Sequence, residues 1–164
     1  MKSIVVYQSR HGNTEKIARA IAAGLERSGS VELYPTTDAP ATIPEDVALF
    51  VVGGPTEAHS MTEPMAQYLD RLGGLSTQLV ATFDTRMRWP RFISGSAAHG
   101  IAGKLQAAGA NDVAEPMSFF VHGADPILEP GELERAELWG ASLVEKLARQ
   151  ESRLGSREPR VSRD

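Results

Sequence analysis

Four short apolar runs constrain this chain more than any other feature: Ile4-Val5-Val6-Tyr7, Val47-Ala48-Leu49-Phe50-Val51-Val52, Leu79-Val80-Ala81-Thr82-Phe83 and Met117-Ser118-Phe119-Phe120-Val121. None alternates strictly between apolar and polar residues. Strands that read this way are buried on both faces, and the architecture that buries both faces is a parallel sheet with helices on either side. Val31-Glu32-Leu33-Tyr34 alternates more and reads as an edge strand. Between the runs lie helical patterns. Ile17, Ile21 and Leu25 recur at every fourth position, with Asn13 as the expected N-cap and Glu15 suited to the first turn. Met65, Tyr68, Leu69 and Leu72 form a second stripe, with Thr62 as cap and Pro64 tolerated in the first turn. Ala97, Ile101, Leu105 and Ala108 form a third, stopped by Gly109, and Leu133, Ala136, Gly140, Leu143 and Leu147 a fourth. Only the stretch between Leu33 and Val47, with Pro35, Pro40 and Pro44, reads as an irregular crossover. Strands and helices thus alternate as in a doubly wound α/β domain.

Length and composition fit that reading. The 164 residues suit one domain with a full core. The absence of cysteine excludes a disulfide scaffold, a thiolate metal site and a cysteine nucleophile. A formal net charge of −4 argues against a bulk nucleic-acid binder. No apolar run is long enough to span a bilayer. The start enters a core strand without the pattern of a signal peptide, so a cytoplasmic protein is expected. The domain is expected over residues 1–148. Residues 149–164 carry five arginines and three acids with little that is apolar, and read as a disordered tail or, alternatively, a basic anchor for an acidic partner.

In open parallel sheets ligands bind beyond the carboxyl ends of the strands, where the winding reverses. The loop after the first strand, Ser9-Arg10-His11-Gly12-Asn13-Thr14, leads straight into a helix. Its short hydroxyl and amide side chains and its glycine suit an anion held by backbone N–H groups at a helix N-terminus; an ordinary strand-to-helix turn remains the alternative. The four histidines, His11, His59, His99 and His122, show no metal-ligand spacing, and no metal is expected. Glu57 and His59 lack a third orienting group and do not make a catalytic pair by type. Gly95-Ser96-Ala97-Ala98-His99-Gly100 has the gap of a P-loop, but Ile101 and Ala102 stand where Lys and Ser/Thr belong, so it reads as the start of a helix. No Gly-x-Ser-x-Gly elbow is present, and the acids of a response-regulator receiver are missing from the strand ends.

The segment Val5-Val6-Tyr7-Gln8-Ser9-Arg10-His11-Gly12-Asn13-Thr14-Glu15-Lys16-Ile17-Ala18-Arg19-Ala20-Ile21 resembles the flavodoxin signature at every defined position. Strand and helix order is similar to a short-chain flavodoxin-like protein to about residue 147. The resemblance implies a single flavodoxin-like domain, a five-stranded parallel sheet in the order 2-1-3-4-5 with helices on both faces, and noncovalent FMN. Ser9, Arg10, His11, Gly12, Asn13 and Thr14 would cradle the phosphate. Pro55 and Thr56, in Gly53-Gly54-Pro55-Thr56, would belong to the second cofactor loop. Phe83, Asp84, Thr85 and Trp89 would belong to the third. Asp84 could accept from the flavin pyrimidine edge or only pair with Arg86. Arg86 and Arg88 could steady a reduced flavin, hold an anionic substrate or simply face water. The second loop has no aromatic ring besides the imidazole of His59, and no glycine lies between Thr56 and Pro64, so a peptide flip there is expected to cost more. The implied role is electron transfer to a redox partner protein. The alternatives are reduction of a small quinone-like acceptor and a binding module that has lost FMN. Without the tail the body carries 12 basic and 18 acidic residues, less acidic than flavodoxins look, which weighs against a shuttle for basic partners.

Overall fold

A computed structural model describes residues 1–155. The elements in chain order are β1 (Lys2–Tyr7), α1 (Asn13–Glu26), β2 (Ser30–Pro35), β3 (Leu49–Pro55), α2 (Glu63–Asp70), β4 (Leu79–Met87), α3 (Arg91–Ser94), α4 (Ala97–Ala107), β5 (Asn111–Asp112), β6 (Met117–His122), β7 (Ile127–Leu128) and α5 (Glu132–Gly155). The sheet runs β2-β1-β3-β4-β6-β7, with β5 pairing β4 beside that path. The sheet therefore differs from the expected five-stranded one. The expected fifth strand is intact as β6, from Met117 opposite Phe83 to Val121 opposite Met87, but a two-residue β5 precedes it: Asn111 and Asp112 pair with Leu79 and Val80, and the chain leaves the ladder after the Val113 N–H donates to the Val80 carbonyl. The two-residue β7 then turns back antiparallel on β6 and closes that edge.

The apolar runs are buried on both faces because consecutive side chains point to opposite sides of the sheet. On one side Val5, Leu49, Val51, Ala81 and Phe83 pack beneath α1 and α5, joined by Ile17, Ile21, Leu25, Leu143 and Leu147. On the other, Ile4, Val6, Phe50, Val52 and Val80 meet Met65, Tyr68, Ile101 and Leu105 from α2 and α4. Trp139 lies in the first cluster, edge-on to Phe83 and Phe119 with centroids 6.4 and 6.0 Å away. The crossover from β2 to β3 has no helix. It is fastened by a Thr42–Gly73 bridge and by the Tyr68 hydroxyl donating to the Pro40 carbonyl at 3.0 Å.

Three local expectations are corrected. Gly12, not Asn13, is the N-cap of α1, at φ 86°, a conformation open to glycine. Leu133 is exposed: at that level of α5 the inward position belongs to Glu132, 4% exposed, which accepts from the Phe120 N–H at 2.7 Å and from Arg135. Burial works against the charge of Glu132, but these donors hold its carboxyl below the usual range. Finally, α5 runs through Arg149 to Gly155, past the expected start of the tail, with an exposed Arg149–Glu145 pair and the Ser152 hydroxyl donating to the Ala148 carbonyl along it. The rest of the expected tail, 156–164, lies outside the described residues.

Two glycines set the contact between α1 and α5. A Cβ on Gly24 would stand 2.1 Å from the Glu137 carbonyl oxygen, and one on Gly140 would stand 2.3 Å from that of Ile21. The backbones touch, so any side chain must push them apart. Gly140→Ala is expected to lower stability by about 1–3 kcal/mol through overpacking, despite the better helix propensity of alanine. Urea denaturation reads this as a lower midpoint; an unchanged or higher midpoint would show that the helices can separate freely.

Candidate functional site

The loops that follow β1, β3 and β4 meet at the carboxyl end of the sheet, where β1 lies between β2 and β3 and the winding reverses. They enclose two adjoining hollows that share Thr56, Arg86 and Met87. One, of about 170 Å³, is lined by Arg10, His11, Asn13, Thr14, Pro55, Glu57 and Thr85, with Val121 and Pro126 from the edge of the sheet. The other, of about 230 Å³, is lined by Ala58, His59, Trp89, Ile93 and Ser94. Together they form one cleft with a hydroxyl-rich end and an apolar, aromatic end.

The hydroxyl-rich end is built by the first loop. Ser9 Oγ accepts from the Gly12 and Glu15 N–H groups at 3.1 and 3.4 Å, folding the loop over the start of α1 and keeping its own proton uncommitted. The Thr14 and Thr85 hydroxyls lie 2.7 Å apart. One bond between two hydroxyls uses one of two protons, so this pair also keeps a donor, and both residues line the cleft. The first N–H groups of α1 have no acceptor within the helix and add their partial positive charge. Arg10 spans from the first loop to Glu57 of the second with a 3.1 Å ion pair, so its charge is shared rather than free. Asn13 points elsewhere: its side-chain amide donates to the Pro126 carbonyl at 2.7 Å and fastens α1 to the β6–β7 turn.

The second loop carries a two-residue hairpin. Glu57 and Ser60 exchange both backbone hydrogen bonds at 2.9 Å, and the residues between them, Ala58 and His59, have φ of 45° and 70°. A turn with both central residues at positive φ favours Asn and Gly, and neither is present here. Gly95 backs this turn: a Cβ there would stand 2.0 Å from the His59 carbonyl oxygen, so only glycine permits the second and third loops to touch.

The third loop is held by Arg86, whose side chain is 12% exposed. Its guanidinium donates to Ser118 Oγ at 2.9 Å, the Trp89 carbonyl at 2.8 Å and Ser94 Oγ at 3.0 Å. Arg86 is therefore the internal scaffold of the loop while bordering both hollows. Arg88 lies outside the cleft, 4.0 Å over the Phe120 ring and paired twice with Glu129, the bond that raises its pKa. Trp89 stands at the rim, 59% exposed, beside Ile93 and the still more exposed Phe92.

Two expected cofactor contacts are corrected. Phe83 is fully buried and packs edge-on to Phe119, with centroids 6.3 Å apart, beneath α1 and α5. Strand alternation sends it inward, and a Cβ on Gly53 would meet its ring at 2.4 Å. Asp84 is also fully buried, turned toward the start of α4, and lines neither hollow. Its Oδ2 accepts from Thr56 Oγ1 at 3.1 Å, Ser96 Oγ at 2.6 Å and the Ala98 N–H at 3.0 Å. Its Oδ1 has no hydrogen-bond partner and lies 4.0 Å from Arg86 Nε. Of the other residues singled out, Thr56, Pro55, Thr85, Thr14, Arg10, His11 and Asn13 line the first hollow and Trp89 the second, while Ser9 and Gly12 line neither. Sequence reasoning missed the lining by Met87, Val121 and Pro126, and the part played by Ser96. The spacing of Ser96 and His99 at the start of α4 was the available signal, since Ser96 caps that helix by accepting from the His99 N–H.

A family model for flavodoxins matches residues 5–139. This chain belongs to the flavodoxin family. Solved structures agree on the fold: a flavodoxin from the domain Archaea superposes with a TM-score of 0.72 at 24% identity, over 90% of this chain and 99% of that one. Flavodoxin 1 from Bacillus cereus gives 0.73 at 23% identity, over 88% and 98%. Among curated relatives, an NAD(P)H dehydrogenase (quinone) from Caulobacter vibrioides is 33% identical over 95 residues, covering 45% of this chain and 48% of that protein. One from Rhizobium meliloti is likewise 33% identical over 95 residues, covering 45% of each chain. The chain thus matches about half the length of these relatives. Among the described residues no group of three or more His, Asp or Glu is placed to hold a metal ion, and no helix is long and apolar enough to cross a membrane.

Removing the Cβ from the strained turn should relieve it. Ala58→Gly is expected to stabilise the protein by up to about 1 kcal/mol, the left-handed penalty of alanine less the entropy that glycine adds to the unfolded chain. A thermal midpoint that falls instead would show that the alanine methyl makes contacts worth more than its strain.

Proposed function

We propose that the cleft binds FMN noncovalently and that the protein transfers electrons. The observation that carries this reading is the polarity of the cleft: spare hydroxyl donors and a helix N-terminus at one end, and a slot between Trp89 and the Ala58–His59 turn at the other. The donor set fits a phosphate, since Ser9 and the Thr14–Thr85 pair each keep a proton to give and accept their remaining bonds from the protein. Trp89 and Ile93 suit one face of a flat ring system, and the backbone of the Ala58–His59 turn would cover the other. FMN, when bound, supplies the one- or two-electron chemistry. The chain's own residues bind and orient: Ser9 and Thr14 the phosphate, Thr56 and Arg86 the walls, Trp89 the outer face.

The electron acceptor is a redox partner protein or a small quinone-like molecule. The second reading, a quinone reductase, is favoured by the relatives named as NAD(P)H dehydrogenases (quinone) and by the open apolar rim of Trp89, Phe92 and Ile93. The third, a flavodoxin-fold module that binds something else in the same cleft, is separated from both by a single titration. Purified protein mixed with FMN at micromolar concentration is expected to quench its fluorescence and shift its visible spectrum. Fluorescence that stays unquenched would sink both redox readings. Stopped-flow oxidation by quinones, set against reduction of a carrier protein, then divides reductase from shuttle.

Thr14→Val removes a hydroxyl from the charged end. It is expected to weaken FMN binding by about 1 kcal/mol or more, at least fivefold in Kd. An unchanged Kd would place the phosphate elsewhere.

A further inference from the structure

His99 sits on the far side of the third loop from the cleft and has no part in the binding just described. Its surroundings fix its tautomer. Ser96 Oγ has one proton, and the 2.6 Å contact to Asp84 Oδ2, an oxygen that only accepts, takes it. Ser96 Oγ must then accept from His99 Nδ1, 2.9 Å away, so the imidazole carries its hydrogen on Nδ1. That leaves the Nε2 lone pair to accept from the Arg91 guanidinium, which it meets directly. Arg91 opens α3, the single turn that carries Phe92, Ile93 and Ser94 along the rim of the cleft. A line of hydrogen bonds therefore joins the second loop to the rim: Ala97 N–H to Thr56, Thr56 to Asp84, Ser96 to Asp84, His99 to Ser96, and Arg91 to His99.

We propose that His99 is a proton-operated latch on the cleft rim: neutral, it pins α3 through Arg91, and protonated it releases α3 and loosens the Trp89–Ser94 segment. The chemical reason is that an imidazolium has no lone pair. Protonation turns Nε2 into a donor facing a second donor, and adds a positive charge beside a guanidinium. No other bond joins Arg91's side chain to α4 among those described. The charged groups around His99 come from every element packed on it. Arg91 of α3 and Arg86 of β4 oppose its protonation, while Asp84 of β4 and Glu115 of the break between β5 and β6 favour it. Burial and then Arg91 prevail, and its pKa lies below the ordinary value. His99 also lines a cavity of about 550 Å³ with Gln106, Asp112 and Glu115, through which a proton reaches it from solvent. The sign follows. Closing the latch expels a proton, so the rim is held at neutral pH and let go as pH falls through the His99 titration. The rim's grip changes about tenfold for each pKa unit by which the closed latch depresses His99.

The consequence for FMN rests on the proposed function, but the latch itself is read in the protein alone. Hydrogen exchange by mass spectrometry, corrected with a synthetic peptide of residues 87–96, reports the amides of Ile93 and Ser94, which donate to Pro90, and of Gly95, which donates to Arg91. Their protection is expected to fall between pH 7.5 and 5 in step with the His99 titration followed by NMR, while α1 stays protected. His99→Gln, whose amide oxygen still accepts from Arg91 but does not titrate, is expected to abolish the step. Arg91→Met is expected to lower the segment's protection at neutral pH to the level seen at low pH, with Arg86 still holding Trp89 and Ser94, and to raise the His99 pKa by removing the Arg91 charge. Protection that ignores pH in the wild type, or a step that survives in His99→Gln, overturns the latch. FMN affinity over the same range should weaken in the wild type and not in His99→Gln. A protein that binds no FMN but keeps the exchange step would refute the cofactor reading and leave the latch standing.

Discussion

A buried carboxylate holds the functional end of this molecule together. Asp84 has no exposed surface, and a charge taken out of water must be met by donors or by an opposite charge. Here the donors come from separate pieces of chain: the Thr56 hydroxyl from the second loop, and Ser96 and the Ala98 N–H from the start of α4. The opposite charge is Arg86, which reaches onward to Trp89, Ser94 and Ser118. One side chain thereby fixes where two of the three cleft loops sit relative to β4. Removing one partner of such a buried pair typically costs 3–5 kcal/mol, because the other is left uncompensated. The cleft inherits its shape from a carboxylate that lies behind its walls.

Much of this was legible in the sequence, and the physical reason is repetition. The strands announced themselves because burial on two faces demands apolar residues at every position, and Ile4–Tyr7 and Leu49–Val52 meet that demand fully. The helices were legible because a face recurs every three or four residues. What failed was whatever lacked a repeat. Two-residue strands such as β5 and β7 have no period, so these additions to the sheet were invisible. The site residues divide the same way. The position of the first loop, between β1 and the start of α1, was readable from its signature, whereas Phe83 and Asp84 lie on a strand where one step of alternation separates the core from the opposite face. Phe83 went into one helical layer and Asp84 into the other, and neither reached the cleft.

The second loop has no glycine, yet Ala58 and His59 both adopt positive φ. The compensation lies in the pair of hydrogen bonds between Glu57 and Ser60 and in Gly95, which lets the third loop press against the back of the turn. The glycine that the second loop lacks is supplied across the cleft by its neighbour. Strain of this kind persists only where the surroundings over-determine it, and here two loops share the task.

The contact of α1 with α5 through Gly24 and Gly140 bears on how the cleft can respond to an occupant. Each glycine receives the other helix's backbone, so sliding either helix along the other by one residue would drive a side chain into a carbonyl. The pair acts as a detent with one setting. Since Gly12 caps the start of α1, the wall built by the first loop is fixed along the helix axis before any ligand arrives. Adjustment to ligands of different length or thickness is left to the opposite wall, the hairpin and rim that stand on loops.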